Sequence, residues 1–285
     1  MLLVWPGFIV ASTLRLETED LIVVDATGRI SDERLRELSV QVQDTLDKVL
    51  VFWSIDSAVN RFGKIRVIFD SPRRRGYYTA VVQLAYREKG RAFRAVRVYG
   101  YDRKPQEVAH KLTHALFMRE DKLVRNMIGI ATEERVGNPL SWPACGFVND
   151  EWVLALLRIE AYIPLSELGP DHESWGMRAD RDGMPYVVDR SKQSRAYAEA
   201  GSFGSYLVRT YGTAKLKQFY DMTGRATRPW HEVFGTGLQK LEADWLKTLQ
   251  TGGRGTSDTV VTLSRLFEQD PSAACLQAQR LAIMR

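Results

Sequence analysis

One segment, EVAHKLTHALF at residues 107–117, governs how the rest of this sequence is interpreted. Residues four apart on an α-helix lie within about 40° of each other around the helix axis. His110 and His114 can therefore direct two imidazoles at one point, which suits two ligands of a tetrahedral Zn²⁺. Histidines at this spacing also occur on helices for packing or by chance, so the spacing alone leaves metal binding open.

The residue that follows the first histidine is Lys111. Zinc-dependent hydrolases of the HExxH type carry a glutamate there, which takes a proton from the metal-bound water and passes it to the leaving group. An ammonium has three donors and no acceptor, and it holds its proton at neutral pH. Beside a divalent cation it also adds repulsion. We therefore predict that the general base is missing and that any metal binds with weakened affinity.

Four separated segments carry a family resemblance that extends from about residue 103 to residue 250. In chain order they are VAHKLTHALF at 108–117, IGIAT at 128–132, YAEAGSFGSYL at 197–207 followed by Tyr211-Gly212, and VFG at 233–235 with LEADWL at 241–246. They resemble the AHELTHALF, EGIAT, YxxAGSFxxYLxxxYG and FG...LExxWxxxL segments of the gluzincin zinc metallopeptidases with a peptidase-MA-like domain. The resemblance implies an α+β, zincin-like fold, in which a small mixed β-sheet with an N-terminal helix precedes a mainly helical subdomain.

The resemblance also implies a role for individual residues. His110 and His114 match the two imidazole ligands of the metal, and Lys111 replaces the general-base glutamate. Ile128 stands where the family has the glutamate that is the third ligand. Tyr197 matches a tyrosine that donates to the oxyanion of the tetrahedral intermediate, although an ordinary core tyrosine fits the sequence equally well.

Four other residues carry a carboxylate or an imidazole and are alternatives for the third ligand. Glu133 and Glu134 follow Ile128 on the same predicted helix, but they point away from it and are poor substitutes. His172 and Glu173 lie in a polar loop that can approach a cleft from another direction, although a loop histidine is usually solvated. None of these residues is a strong candidate.

A further hypothesis gives Lys111 a structural role. Its ammonium can pair with Glu133 or Glu134 and hold the two helices together in place of a metal. The simultaneous loss of the base and of the third ligand motivates this hypothesis.

The sequence therefore favours a catalytically inactive gluzincin-like homologue, a pseudopeptidase, that retains a cleft for a peptide or protein partner. Zinc is not expected as a functional cofactor, and any zinc would bind with weakened affinity. The alternative is an active zinc-dependent peptidase whose base and third ligand come from elsewhere in the chain. A protein that uses only the scaffold, for assembly, is a third hypothesis. Substrate-binding residues are not assigned.

Composition narrows the partner classes. The 285-residue chain has a formal net charge of +5, and 45% of its residues are hydrophobic, as in a soluble globular protein. The Arg73-Arg74-Arg75 run is typical of a solvated turn, and no nucleic-acid-binding motif accompanies it, so we expect no nucleic-acid partner. Membrane association is left open.

The two cysteines, Cys145 and Cys275, show no ligand spacing and do not indicate a redox compartment.

The chain divides into four predicted parts: a hydrophobic start at 1–13, a mixed-sheet subdomain with one long helix at 14–102, a helical peptidase-like subdomain at 103–250, and a linker with a C-terminal tail at 251–285. The start has the length of a signal-peptide core but lacks a basic flank, and a buried first strand competes with that interpretation. On the resemblance we favour export. The tail is predicted either to dock or to remain mobile.

Within the sheet subdomain we predict an extended segment over Leu14–Val24, a helix from the Ser31 N-cap to residue 54, and strands over Ile65–Phe69, Tyr77–Tyr86 and Phe93–Tyr99. By resemblance, the hairpin of residues 77–99 lines the substrate cleft and pairs with an extended peptide through backbone hydrogen bonds. Such binding does not require zinc.

Overall fold

The chain adopts an α+β fold in which a small mixed sheet precedes a mainly helical region, and this confirms the α+β part of the predicted fold class. The structure is a computed structural model. It describes residues 15–60, 62–71, 80–88, 91–99, 107–118, 120–181, 185–224, 227–251 and 254–285, with the backbone alone for 80–88, 91 and 254. The predicted signal-like start, the Arg73-Arg74-Arg75 turn and the turn of the predicted hairpin at 89–90 lie outside these residues.

The sheet is built from strands β1 (Arg15–Glu17), β2 (Leu21–Asp25), β3 (Ile65–Asp70), β4 (Ala80–Glu88) and β5 (Arg91–Tyr99). Within the described residues their order is β1-β2-β3-β5-β4. Strands β2, β3 and β5 are parallel, whereas β1 and β4 run antiparallel to their neighbours. The antiparallel strand β4 is therefore an edge strand of the described sheet.

The first predicted strand was only partly right. The segment expected to be continuous over Leu14–Val24 is divided into β1 and β2 by a tight turn. Thr18 closes this turn, because its backbone N–H donates to the carbonyl of Leu21 at 3.0 Å and its hydroxyl accepts from the Leu21 N–H at 3.0 Å. The side-chain hydrogen bond offers the backbone an alternative to the strand ladder.

Helix α1 (Asp32–Trp53) follows the sequence prediction closely. The Ser31 hydroxyl caps its first turn by accepting from the Arg34 N–H at 3.2 Å. Its apolar residues recur at helical spacing and cover one face of the sheet. We call the resulting cluster the sheet-side core, and its fully buried members are Leu21, Val23, Leu35, Leu46, Ile65, Val67, Val96, Val98, Leu112 and Ala115.

The helical region has its own, larger core. Its helices are α2 (Val108–Leu116), α3 (Lys122–Val136), α4 (Asn149–Arg158), α5 (Arg190–Met222), α6 (Trp230–Phe234), α7 (Leu238–Gln250), α8 (Asp258–Gln269) and α9 (Ala274–Ile283). A short hairpin of β6 (Met177–Ala179) and β7 (Pro185–Val187) lies in the polar stretch before α5, and single 3-10 turns cover Leu165–Glu167, Glu173–Trp175 and Arg254–Thr256. No described helix combines the length and the apolar character needed to cross a bilayer.

The C-terminal tail is docked, which resolves the choice left open by the sequence. A disulfide joins Cys145, in the loop before α4, to Cys275 in α9. The Gln279 amide also donates to the carbonyl of Leu140 at 2.6 Å. Sequence reasoning missed the disulfide, because two cysteines separated by 130 residues give no local spacing signal.

Candidate functional site

Helix α2 lies between the sheet-side core and helix α3. It contributes Leu112 and Ala115 to the sheet-side core, and its other face packs on α3. His110 and His114 lie on the α3 side, with their Nε2 atoms 3.0 Å apart and their rings edge to face. Two nitrogens bound to one tetrahedral zinc are about 3.3 Å apart. The spacing therefore brings the two imidazoles together as the sequence pattern indicates.

The Nε2 atoms of the two imidazoles have hydrogen-bond partners without a metal, whereas the buried His110 Nδ1 has none among the described residues. His114 Nε2 lies 3.0 Å from the carbonyl oxygen of Arg125, which can only accept a hydrogen bond. We therefore assign the proton to His114 Nε2, where it is shared with His110 Nε2 as a second acceptor. Burial lowers the pKa of both histidines well below the ordinary value, and neighbouring cations, among them Arg125 and Lys111, lower both further. Both rings are neutral at physiological pH.

Helix α3 presses directly on this pair at Gly129. A Cβ atom at this position would lie 2.2 Å from His110 Cδ2, 2.7 Å from His110 Nε2 and 2.8 Å from His114 Nε2. These separations are far shorter than a van der Waals contact, so a side chain at position 129 cannot be placed without moving the rings or the helix. Glycine here is a requirement of close packing.

Lys111 is buried and paired with Glu107, one helical turn earlier. Its Nζ lies 3.2 Å from Glu107 Oε2, and the two side chains are only 8% and 6% exposed. Burial raises the pKa of the Glu107 carboxyl, and the Lys111 ammonium opposes that rise. The hypothesis that Lys111 pairs with Glu133 or Glu134 was wrong. Because Glu107 precedes Lys111 by four residues on a helix, the favoured i, i+4 orientation was a signal that could have identified the partner.

Glu133 serves a different purpose. Its Oε2 accepts from the His110 backbone N–H at 2.8 Å, and its Oε1 accepts from the Asn138 N–H at 2.9 Å and the Ser141 hydroxyl at 3.0 Å. It thus caps the first turn of α2 from α3, where Glu107 makes no side-chain cap of its own. Burial raises the pKa of Glu133 to about 7, against the effect of these hydrogen bonds. Glu134 is engaged elsewhere and accepts from the Asn149 N–H at 3.0 Å.

The residues at this centre do not fit a catalytic zinc site. Ile128 is fully buried in the core of the helical region and offers no donor atom. Within the described part of the chain, no group of three or more His, Cys, Asp or Glu side chains is placed to hold a metal ion. The donor set is therefore two imidazoles beside an ammonium, whereas catalytic zinc requires three protein ligands and an open position. No step through a metal follows from these residues.

Tyr197, predicted either as an oxyanion donor or as a core tyrosine, is enclosed by aromatic side chains. Its ring lies 4.4 Å from Trp142 and 5.2 Å from Trp175, centroid to centroid, and the residue is 4% exposed. Its hydroxyl accepts from Lys122 Nζ at 3.1 Å and contacts Met177 Sδ at 3.8 Å. These contacts fit a packed core residue, and the proposed oxyanion role remains a prediction.

Lys122 and Arg125 lie one turn apart on α3, and sequence reasoning did not single them out. Lys122 is 2% exposed, and its ammonium lies 5.2 Å from the Trp175 ring. Burial, then Arg125 and Lys111, lower the pKa of Lys122 well below its ordinary value. His172 lies in the same turn as Trp175, whose N–H donates to the His172 carbonyl at 3.1 Å, and burial, then Lys122 and Arg125, lower the pKa of His172 to about 4. The surroundings of the histidine pair are therefore rich in cationic groups.

Comparison with known proteins does not assign a family. The chain matches no protein-family model, and no curated protein matches it.

Proposed function

We propose that the chain is a non-catalytic, gluzincin-like protein that binds a peptide or protein segment in a cleft beside the sheet. The observation that carries the proposal is the buried Lys111–Glu107 ion pair, which occupies the general-base position with a cation that has no proton-accepting atom. Ile128 adds an aliphatic group at the expected third-ligand position. Loss of a general base alone commonly costs about 10² to 10⁴-fold in rate, and loss of a ligand compounds it.

The arrangement of elements supports the zincin-like part of the proposal. A helix separates two parallel strands, an antiparallel edge strand follows, and the helix with the two histidines comes next in the chain. Helix α2 packs against β4, so the edge strand runs beside the histidine helix. An edge strand can extend its ladder by pairing with an extended peptide. This binding mode uses backbone groups and needs no metal.

The first experiment measures zinc and hydrolysis together. Protein purified without added metal is expected to contain zinc far below one equivalent and to show no chelator-sensitive cleavage of unstructured peptides. The double substitution Lys111→Glu with Ile128→Glu is expected to raise the zinc content, because it restores two carboxylates. The matched control is Lys111→Gln with Ile128→Gln, which adds no charge and should not raise it. One equivalent of zinc with chelator-sensitive cleavage in the unaltered protein would overturn the proposal.

The second experiment tests the binding mode. An unstructured peptide that binds by strand addition should lose most of its affinity when alternate backbone amides are N-methylated, because those amides can no longer donate to β4. The control peptide carries the same methylation pattern shifted by one residue. Its methyl groups then lie on the edge of the peptide that points away from β4. Equal affinity of the two methylated peptides would exclude strand addition.

One observation favours the alternative of an active zinc peptidase. The Nε2 atoms of His110 and His114 are already within 3.0 Å of each other, so two ligands are pre-positioned. This candidate requires a base and a third ligand that the described residues do not bring to the centre. The zinc measurement above distinguishes the two functions.

The disulfide between Cys145 and Cys275 supports export from the cytoplasm. Disulfides persist in oxidising compartments and are rare where thiol reductants are maintained. If the protein is exported, both cysteines should resist alkylation in protein that is acid-quenched directly from its host. Free thiols at both positions would contradict this proposal.

A further inference from the structure

The side chains around the histidine pair are mainly cationic, whereas a metal ion is bound by anionic or neutral side chains. Lys111, Lys122 and Arg125 all lower the pKa of the His110 imidazole, after the larger effect of burial. Lys111 is matched by Glu107 at 3.2 Å. Lys122 and Arg125 lie one turn apart on α3. Among the described residues, neither forms an ion pair comparable to that of Lys111. Two cationic side chains are therefore left without an ion-pair partner in the part of the chain that the structure describes.

The polar atoms of these side chains are incompletely satisfied. The Lys122 ammonium has three donors, and its hydrogen bond within the described residues is to the Tyr197 hydroxyl at 3.1 Å. Arg125 Nε and His172 Nδ1 are buried atoms that have no hydrogen-bond partner among the described residues. A buried donor that lacks a partner costs free energy, and a buried charge costs more. An anion that reached all three groups would remove this cost.

Arg125 and His172 are partly exposed residues, whereas Lys122 is only 2% exposed. Asp171 is a nearby carboxylate that raises the pKa of both Lys122 and His172, as a smaller effect than burial. Its Oδ1, however, accepts from the Ser174 N–H at 2.9 Å and from the Ser174 hydroxyl at 2.8 Å. Asp171 therefore closes a local turn and remains an anion near the cluster, but within the described residues it forms no ion pair with Lys122, Arg125 or His172.

We propose that Lys122, Arg125 and His172 form a binding site for a carboxylate, supplied by the C-terminus or an acidic side chain of a bound peptide. The guanidinium can bind the carboxylate with two parallel hydrogen bonds, and the ammonium adds a charge-assisted donor. The imidazole contributes a neutral donor. This inference rests on the proposed function only in naming a peptide as the source of the carboxylate.

The test uses three N-acetylated hexapeptides with the same uncharged sequence. One has a free C-terminal carboxylate, one has a C-terminal amide, and one has the amide together with a glutamate at its fourth position. Binding is followed by the fluorescence of the chain's tryptophans, because Trp175 lies beside Lys122. The first or the third peptide should bind at least about tenfold more tightly than the second, since one charge-assisted contact contributes roughly 1.4 kcal/mol. Which of the two prevails identifies the source of the carboxylate.

Two variants locate the effect. Lys122→Met and Arg125→Gln should each reduce the preference for the carboxylate to less than about twofold, whereas Lys247→Met, at an exposed lysine of α7, should leave it unchanged. In a second readout, sodium acetate should raise the thermal midpoint of the unaltered protein relative to sodium chloride at equal ionic strength, and Lys122→Met should remove that difference. This readout does not depend on a peptide.

The outcomes separate this inference from the proposed function. If the three peptides bind equally, or if the preference persists in both variants, the carboxylate site is excluded while peptide binding stands. If the unaltered protein carries one equivalent of zinc and cleaves peptides, the proposed function fails. The carboxylate site then stands or falls with the preference for the carboxylate peptides and its loss in the two variants. If no peptide binds and acetate has no stabilising effect, both are excluded.

Discussion

The two faces of helix α2 differ in how they are stabilised. One face joins the sheet-side core, where apolar side chains meet without polar partners. The other face forms what we call the polar interface with α3, whose members are Glu107, His110, Lys111, His114, Gly129 and Glu133. Apart from the glycine, each member is ionisable, and each is at most 6% exposed as a whole residue. Apolar burial is stabilising irrespective of pH, whereas buried ionisable groups are stabilising only when each is paired or neutral. The two faces should therefore respond differently to substitution and to pH.

The largest difference is expected from Lys111→Met. It leaves the Glu107 carboxylate buried without its partner and should lower the free energy of unfolding by about 3 to 5 kcal/mol near pH 8. The loss should be smaller near pH 5, because Glu107, whose pKa is raised by burial, can then be protonated. Urea unfolding at both pH values measures the effect.

The control for this prediction is Leu46→Ala in the sheet-side core. Leu46 is fully buried, so its truncation should cost about 2 to 5 kcal/mol, equally at both pH values. The double variant Glu107→Gln with Lys111→Met should recover much of the loss of the single variant. If Lys111→Met leaves stability unchanged, the ion pair does not hold α2 in place.

Removal of the disulfide should rank second. Cys145→Ser with Cys275→Ser frees a loop of 130 residues in the unfolded chain and should cost about 2 to 4 kcal/mol. Hydrogen exchange should show early loss of protection in α9 and around Cys145, while β2, β3 and β5 keep theirs. Uniform loss of protection over both regions would instead indicate that the tail and the sheet unfold as one unit.

A pH effect of roughly 3 kcal/mol is expected from Glu133, whose folded pKa of about 7 exceeds the ordinary glutamate value of 4.5. Between those values the folded state holds a proton that the unfolded state has released. The contribution of Glu133 to stability should therefore fall as pH rises from about 4.5 to 7 and change little above that range. Glu133→Gln should flatten this part of the profile, although it also weakens the cap of α2.

The free energy of unfolding, followed from about pH 4 to pH 9, tests this prediction. Glu199 is a useful comparison, because burial raises its pKa from 4.5 to about 8, so Glu199→Gln should flatten the profile over a range that extends to higher pH than for Glu133→Gln. A profile that keeps its full slope in Glu133→Gln would show that this carboxyl is not the group that titrates.

The smallest predicted effect tests close packing at the polar interface. Gly129→Ala should lower the free energy of unfolding by about 1 to 3 kcal/mol, because its Cβ would meet His110 Cδ2 at 2.2 Å. Gly255→Ala is the control, since its Cβ would lie 3.9 Å from Leu154 Cδ2, an ordinary contact. If both substitutions are neutral, α3 does not press on the imidazoles.

The contrast between the two faces also explains what the sequence could predict. The Ser31 cap, the apolar spacing of α1 and strand β3 are local patterns, and the structure confirms them. The approach of His110 to His114 is likewise a consequence of spacing on one helix. These features depend on residues that are near each other in the chain.

The polar interface depends on pairs that are distant in sequence. Glu133 reaches the His110 backbone across 23 residues, and Lys122 reaches the Tyr197 hydroxyl across 75. No periodicity encodes such contacts, because each is set by how α2, α3 and α5 pack. The Glu107–Lys111 pair is the exception, since its i, i+4 spacing was visible and was overlooked.

The covalent link between the loop before α4 and α9 has a consequence for how a damaged molecule behaves. If a protease cuts the backbone at any point between Cys145 and Cys275, the two pieces stay joined through sulfur. A nicked molecule should therefore migrate as one band on a denaturing gel without reductant and as two with it. In a compartment rich in proteases, this tether would keep the C-terminal helix attached after the chain itself has been broken.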